Sequence, residues 1–142
     1  MCSGAAEDVS SFVPAVYTFS GNIGFINLNL IDLFRRYAQK VGLEIDEKFS
    51  FDAGNDYATA YEMVRGKVRA CRPPHILLCM NDEMALGAID ALLDENYAVP
   101  EDVSVIGHDD IPRASYSRVP LTTVRIFKEE IGRLVSDLLL ER

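Results

Sequence analysis

The chain has none of the features that would place it in a membrane or send it across one. Its 142 residues include no run of about 20 apolar side chains, which is the length that a transmembrane helix needs. The first residues, Met-Cys-Ser-Gly-Ala-Ala, show no basic segment followed by an apolar core, so no secretory signal is visible. We therefore expect no membrane partner.

Positive charge and cysteine are both scarce. The 14 Lys and Arg residues against 22 Asp and Glu residues leave a net charge of −8, which argues against nonspecific binding of this chain alone to nucleic acid or anionic membranes. Three cysteines are an odd number and too few for a disulfide framework. Cys79 stands in an apolar run, as a buried reduced thiol does. A reducing, cytoplasmic location follows.

Motifs of catalysis and cofactor binding are missing as well. The sequence contains no Gly-x-Ser-x-Gly elbow, no Gly-rich phosphate loop and no Cys-x-x-Cys pair. His108, Asp109 and Asp110 could be imagined as a metal or acid–base cluster, but adjacent residues rarely converge on one ion without further ligands. The only other histidine, His75, follows Pro-Pro at a strand start. We expect no enzyme activity, no cofactor and no metal.

Strand-like and helix-like segments alternate along the chain, with 49% hydrophobic residues. This alternation predicts an α/β fold, a parallel β-sheet flanked by helices on both faces. We expect residues 1–20 to be a poorly defined N-terminal segment and residues 21–142 to form one lobe. Apolar runs predict strands at 13–19 (an edge strand at best, because of Pro14), 23–28, 49–51, 75–80, 103–107 and 121–126. Apolar residues at helical spacing predict helices over 30–41, 57–68, 84–93 and 127–139.

Polar residues follow two of the predicted strands directly. Asn81 and Asp82 come after the run 75–80, and His108, Asp109 and Asp110 come after 103–107. Ligands of open α/β sheets bind beyond the carboxyl ends of the strands, and amide and carboxylate groups suit the vicinal hydroxyls of a small polar molecule. Asn81 is equally well explained as a helix cap alone.

Four motifs follow one another in the second half of the chain. They are Asn-Asp-Glu-Met-Ala-Leu-Gly-Ala (81–88), Val-Pro-Glu-Asp-Val-Ser-Val-Ile-Gly (99–107), Asp-Asp-Ile-Pro (109–112) and Pro-Leu-Thr-Thr-Val-Arg (120–125). In this order and spacing they resemble the lactose/galactose-repressor family of bacterial transcription regulators. Residues 72–142 carry the strong part of the resemblance, and residues 22–71 match more weakly.

The resemblance implies a periplasmic-binding-protein-like fold of type I, of which this chain matches the second, C-terminal lobe. Family members carry a DNA-binding helix-turn-helix before two such lobes, and a small effector, usually a sugar, nucleobase or related metabolite, binds in the cleft. Asn81 and Asp109 match positions that hydrogen-bond effector hydroxyls, and Asn55 falls near a ligand-contacting position. These three are the predicted ligand-binding residues.

The match omits the helix-turn-helix and nearly all of the first lobe, so DNA would be bound only through a part that this chain lacks. In the family the segment corresponding to 127–142 crosses back, and its last helix packs in the first lobe. Here that helix has an apolar face without an obvious neighbour. Because exposed apolar area is unfavourable in water, we expect a homodimer, with helix 128–141 at its interface.

Two other interpretations remain open. The chain could be a fragment of the sugar-binding protein of a transporter, which shares the fold but requires an export signal and a first lobe. It could also be an oligomerisation module that binds no ligand. Binding of a small metabolite, or its absence in a protein that still dimerises, distinguishes the first hypothesis from the last.

Overall fold

The computed structural model describes residues 16–20, 24–42, 51–52 and 54–141. The described elements, in chain order, are β1 (Val16–Ser20), α1 (Gly24–Lys40), β2 (Phe51–Asp52), α2 (Tyr57–Ala70), β3 (Ile76–Cys79), α3 (Asp82–Asp94), β4 (Ser104–Asp109), a 3-10 helix (Pro112–Ser115), β5 (Thr122–Arg125) and α4 (Lys128–Leu140).

The five strands form one parallel sheet in the order β2-β1-β3-β4-β5. The chain moves in one direction along the sheet through α1 and in the opposite direction through α2 and α3. Since crossovers between parallel strands are right-handed, α1 covers one face while α2 and α3 cover the other. The predicted fold class, a parallel sheet with helices on both faces, is confirmed.

The prediction of a strand over residues 23–28 was wrong, because α1 begins at Gly24. Ile26 precedes Leu30 by four residues, so the apolar pattern of the predicted helix simply continues toward the N-terminus. A short, mostly apolar run such as Ile-Gly-Phe-Ile-Asn-Leu does not distinguish a buried strand from a buried helix by its periodicity. The strand of this βα unit lies earlier, at β1.

The prediction that residues 13–19 form at best an edge strand was also wrong. β1 starts at Val16 and pairs with both β2 and β3, so it is internal. Pro14, on which the edge-strand prediction rested, lies outside the described residues. The weak strand expected over 49–51 is β2, displaced toward Asp52. Of the poorly defined N-terminal segment expected over residues 1–20, residues 1–15 lie outside the described residues and residues 16–20 form β1.

The core lies between β3, β4 and the pair of helices α2 and α3. α3 is buried along most of its length, and its residues Met84, Ile89 and Leu92 are almost inaccessible to solvent. α2 and α3 approach so closely that a Cβ atom on Gly87 would overlap the carbonyl oxygen of Tyr57. Only glycine permits this backbone contact.

Helix α4 contrasts with α3, because every residue from Lys128 to Glu141 is exposed. The apolar positions along it expose about half or more of their side chains; they are Phe127, Ile131, Leu134, Val135, Leu138 and Leu139. Among the described helices, none combines the length and the apolar character required to span a bilayer.

Candidate functional site

Two of the three predicted ligand-binding residues lie at one edge of the sheet, since Asn81 stands two residues after β3 and Asp109 is the last residue of β4. Leu78 of β3 pairs with Ile106 of β4. Asn81 lies three residues after Leu78, and Asp109 lies three residues after Ile106. Adjacent strands of a sheet lie about 4.8 Å apart, so these residues occupy neighbouring positions on the edge where α/β proteins bind ligands.

Asn81 joins this edge to the third predicted residue, Asn55. The side chain of Asn81 caps α3, since its Oδ1 accepts from Met84 N at 2.8 Å. Its Nδ2 donates to the backbone oxygen of Asn55 at 3.2 Å. The capping role considered from the sequence is therefore present, and one amide N–H of Asn81 is left for another acceptor.

Asn55 itself adopts a left-handed backbone conformation, with φ 71°, which asparagine tolerates better than most residues. Its Oδ1 is shielded from solvent and accepts no hydrogen bond from the described residues. Asp56 follows it and caps α2 by accepting from Thr59 N at 2.9 Å. Hydrogen bonds from the backbone N–H and the side chain of Thr59 hold the pKa of the Asp56 carboxyl below its ordinary value, as expected for an ionised cap.

Asp109 ends β4 in an unusual conformation, with φ 118°, and Asp110 follows with φ 52°. Two successive positive φ angles outside glycine store strain that the surrounding contacts must hold. The Asp109 carboxylate is partly exposed, and its Oδ1 lies 3.2 Å from His108 Nδ1. His108 and Asp109 thus form a pair, whereas His75 precedes the start of β3 at the opposite edge of the sheet.

Sequence reasoning missed Arg125 as a site residue. It pairs with Asp109 in the register of β4 and β5, and its guanidinium forms an ion pair with the carboxylate of Asp110. The cation therefore stands beside the acidic pair at the strand ends. The arginine closes the fourth sequence motif, but only the strand register shows that it lies next to Asp109.

From the sequence, Asp82 was only one of the polar residues after a predicted strand, yet it is the one buried charged residue among those described. Its Oδ1 accepts from Thr123 Oγ1 at 2.5 Å and its Oδ2 accepts from Ile111 N at 2.8 Å. A Cβ atom on Gly107 would overlap Asp82 Oδ1. The carboxylate thus links the start of α3 to β5 and to the segment after β4.

A tyrosine at the start of α2 connects that helix to α3 by a hydrogen bond. The hydroxyl of Tyr57 donates to Asp90 Oδ2 at 2.6 Å. Burial, together with that bond to a carboxylate, raises the pKa of Tyr57 to about 12, so the phenol stays neutral. The guanidinium of Arg113 lies 5.0 Å from the centre of its ring, within cation–π range.

The edge therefore offers hydrogen-bond donors and acceptors rather than a catalytic pair. Cys79 is fully buried, and burial raises the pKa of its thiol, which keeps it protonated and unreactive. Within the described part of the chain, no three His, Cys, Asp or Glu side chains are grouped to hold a metal ion. Amide, carboxylate and guanidinium groups at one edge are suited to binding a polar small molecule.

The sequence matches the family model of the periplasmic binding protein-like domain over residues 27–142, and the chain belongs to this family. The HTH-type transcriptional repressor PurR of Haemophilus influenzae is 36% identical over 109 residues, which cover 77% of this chain and 32% of that protein. The ribose operon repressor of Escherichia coli is 32% identical over 109 residues, covering 77% of this chain and 33% of that protein.

A solved structure of similar fold is the complex of the transcriptional regulator CelR with cellobiose. Its TM-score is 0.81 with 26% identity, covering 89% of this chain and 39% of that one. The chain thus spans about a third of the length of the curated relatives it matches. The relatives are repressors and not enzymes, and this chain corresponds to the effector-binding region of the lactose/galactose-repressor family, as the sequence motifs indicated.

Proposed function

We propose that this protein is the effector-binding part of a cytoplasmic transcriptional regulator and that its effector is a sugar or related small metabolite. The proposal rests on the placement of Asn81 and Asp109 at the carboxyl ends of the neighbouring strands β3 and β4, and on the hydrogen bond from Asn81 to Asn55. DNA would be reached through a helix-turn-helix outside this chain, as the names of the relatives indicate for those proteins.

The chemistry of the Asp109 and Asn81 side chains supports a polyhydroxylated or amide-bearing ligand. Asp109 provides a partly exposed carboxylate acceptor, and Asn81 keeps one N–H donor. The Oδ1 of Asn55 is shielded from solvent, so Asn55 contributes through its backbone oxygen, which holds the Asn81 amide in place. A hydroxyl both donates and accepts, so vicinal hydroxyls match this mixture of groups.

Asp109→Asn is expected to weaken effector binding about tenfold or more, because a hydrogen bond to a charged group contributes about 1.5–3 kcal/mol. The test is calorimetric titration of the chain with D-ribose, D-glucose, cellobiose and adenine. Asparagine tolerates the positive φ of this position better than alanine does, so the substitution changes charge with little added strain.

Glu62→Gln is the matched control, since it removes the same charge from the exposed outer surface of α2 and should leave the dissociation constant unchanged. Equal affinity of Asp109→Asn and the wild-type chain would show that the Asp109 carboxylate does not contact the effector. Binding of none of the four compounds by the wild-type chain would contradict the proposed function.

We further propose that two copies associate through α4. Its apolar stripe, from Phe127 to Leu139, is exposed, and no α4 residue is buried. Exposed apolar area of this extent marks an interaction surface, and burial of it against a second copy is favourable by about 25 cal/mol per Å².

A dimer is therefore expected by light scattering at micromolar concentration. Leu138→Glu, which places a charge within the stripe, should shift the protein to monomer. Ser136→Glu adds the same charge outside the stripe and should preserve the dimer. A monomeric wild-type chain, or a Leu138→Glu variant that still dimerises, would show that α4 is not the interface.

A further inference from the structure

The buried carboxylate of Asp82 has no role in the proposed effector contacts, yet it is fully inaccessible to solvent. Burial of a carboxylate is unfavourable unless hydrogen bonds and charge compensate for it. Asp82 is the first residue of α3, where the helix dipole favours negative charge. Its two bonds to Thr123 and Ile111 supply the rest.

Those bonds converge on the strained turn that carries Asp109. Ile111 N donates directly to Asp82, and Asp110 N donates to Thr123 Oγ1 at 3.3 Å. Because Thr123 Oγ1 in turn donates to Asp82, both backbone N–H groups after Asp109 are tied to one carboxylate. The positive φ angles of Asp109 and Asp110 persist only where the surroundings hold them.

The sheet is shaped to let this carboxylate reach β5. Thr123 pairs with Gly107 in the register of β4 and β5. A Cβ atom at Gly107 would overlap Asp82 Oδ1 and would come within 2.9 Å of Leu121 Cδ2. The absence of a side chain at position 107 is thus what lets the carboxylate of α3 reach past β4 to the hydroxyl of Thr123.

We infer that Asp82 is a positioning residue of the effector site. It holds the Asp109–Ile111 turn, through Thr123 and the backbone, so that the Asp109 carboxylate is fixed at the carboxyl edge before any ligand arrives. The inference rests on the proposed function for its consequence in binding, whereas the restraint on the turn belongs to the ligand-free protein and is measurable by itself.

Asp82→Asn keeps the shape of the side chain but replaces one acceptor with a donor. Its amide oxygen can accept from Ile111 N–H or from Thr123 O–H but not from both, and the bond that remains no longer has a charged acceptor. Thr123→Val removes the hydroxyl from the other side of the link at nearly constant volume. Thr123→Ser keeps the hydroxyl and is the matched control.

The first measurement is amide hydrogen exchange of the ligand-free chain. Asp82→Asn and Thr123→Val should each speed exchange at Asp110 and Ile111 about tenfold. The amides of Val64 and Leu77 in the core should be unchanged, and Thr123→Ser should behave as wild type. Equal acceleration at the core amides would show that Asp82 contributes only to global stability, and unchanged exchange at Asp110 and Ile111 would show no restraint; either overturns the inference.

The second measurement is titration of the same variants with the compounds tested for Asp109→Asn, at a temperature where circular dichroism shows each variant fully folded. Asp82→Asn and Thr123→Val should each raise the dissociation constant about tenfold, and Thr123→Ser should leave it unchanged. Wild-type affinity in Asp82→Asn, with affinity lost in Asp109→Asn, would overturn the positioning role. Absence of binding in the wild-type chain would instead contradict the proposed function, and the exchange result would still decide whether Asp82 holds the turn.

Discussion

Gly87→Ala is expected to destabilise the protein by about 3 kcal/mol. The new Cβ would overlap the carbonyl oxygen of Tyr57 and would lie 3.1 Å from the backbone nitrogen of Tyr61. Both atoms belong to the backbone of α2, so no rotation of a side chain relieves the contact. α2 must move away from α3, and that movement loosens the core on this face of the sheet.

The measurement is urea denaturation of the wild-type and variant chains followed by circular dichroism. Gly66→Ala is the matched control, because Gly66 is also a helix-interior glycine but has no atom within 4 Å of a built Cβ. Alanine is the better helix former by about 0.8–1 kcal/mol, so this variant should be more stable than wild type. A glycine-to-alanine substitution is thus expected to lower the free energy of unfolding on α3 and to raise it on α2. A Gly87→Ala variant with wild-type stability would show that the two backbones do not touch.

Leu92→Ala is expected to lower the free energy of unfolding by about 2–5 kcal/mol. Leu92 lies on α3 and is completely buried among the side chains of the main hydrophobic cluster. Removal of its three outer carbon atoms leaves a cavity that the surrounding helices and strands fill only partly. Such a loss approaches the whole stability of a small domain.

Leu140→Ala deletes the same atoms from a residue whose side chain is 84% exposed near the end of α4. Its stability should lie within about 0.5 kcal/mol of wild type. Denaturation curves of the two variants, measured side by side, separate the stability lost with a buried side chain from the difference in helix propensity between leucine and alanine. Equal losses at both positions would mean that α3 is not the centre of the core.

The sequence is most informative where the local pattern and the tertiary environment agree. β3, α3 and β4 lie close to their predicted positions, because continuous apolar runs are typical of strands covered on both faces and the stripe from Met84 to Leu93 has helical spacing. The cap of α2 at Asp56 also follows from residue type. The same pattern was insufficient at residues 23–28, where the apolar run continues a helix.

The candidate site was predictable in part. Asn81 and Asp109 could be placed at the sheet edge because they come one and two residues after predicted strands, and their ligand-binding role remains a prediction. Arg125 could not be recognised, since its position beside Asp109 depends on the pairing of β4 with β5.

The sequence by itself determined the class of fold, the buried strands and the residues at their carboxyl ends, because these depend on the composition and periodicity of short segments. Only the tertiary structure decided that β1 is internal, that α2 and α3 touch at Gly87, and that Asp82 reaches Thr123, a partner 41 residues away. Strand order, close backbone approach and the partners of a buried charge all depend on atoms brought together from distant parts of the chain, and no local pattern contains that information.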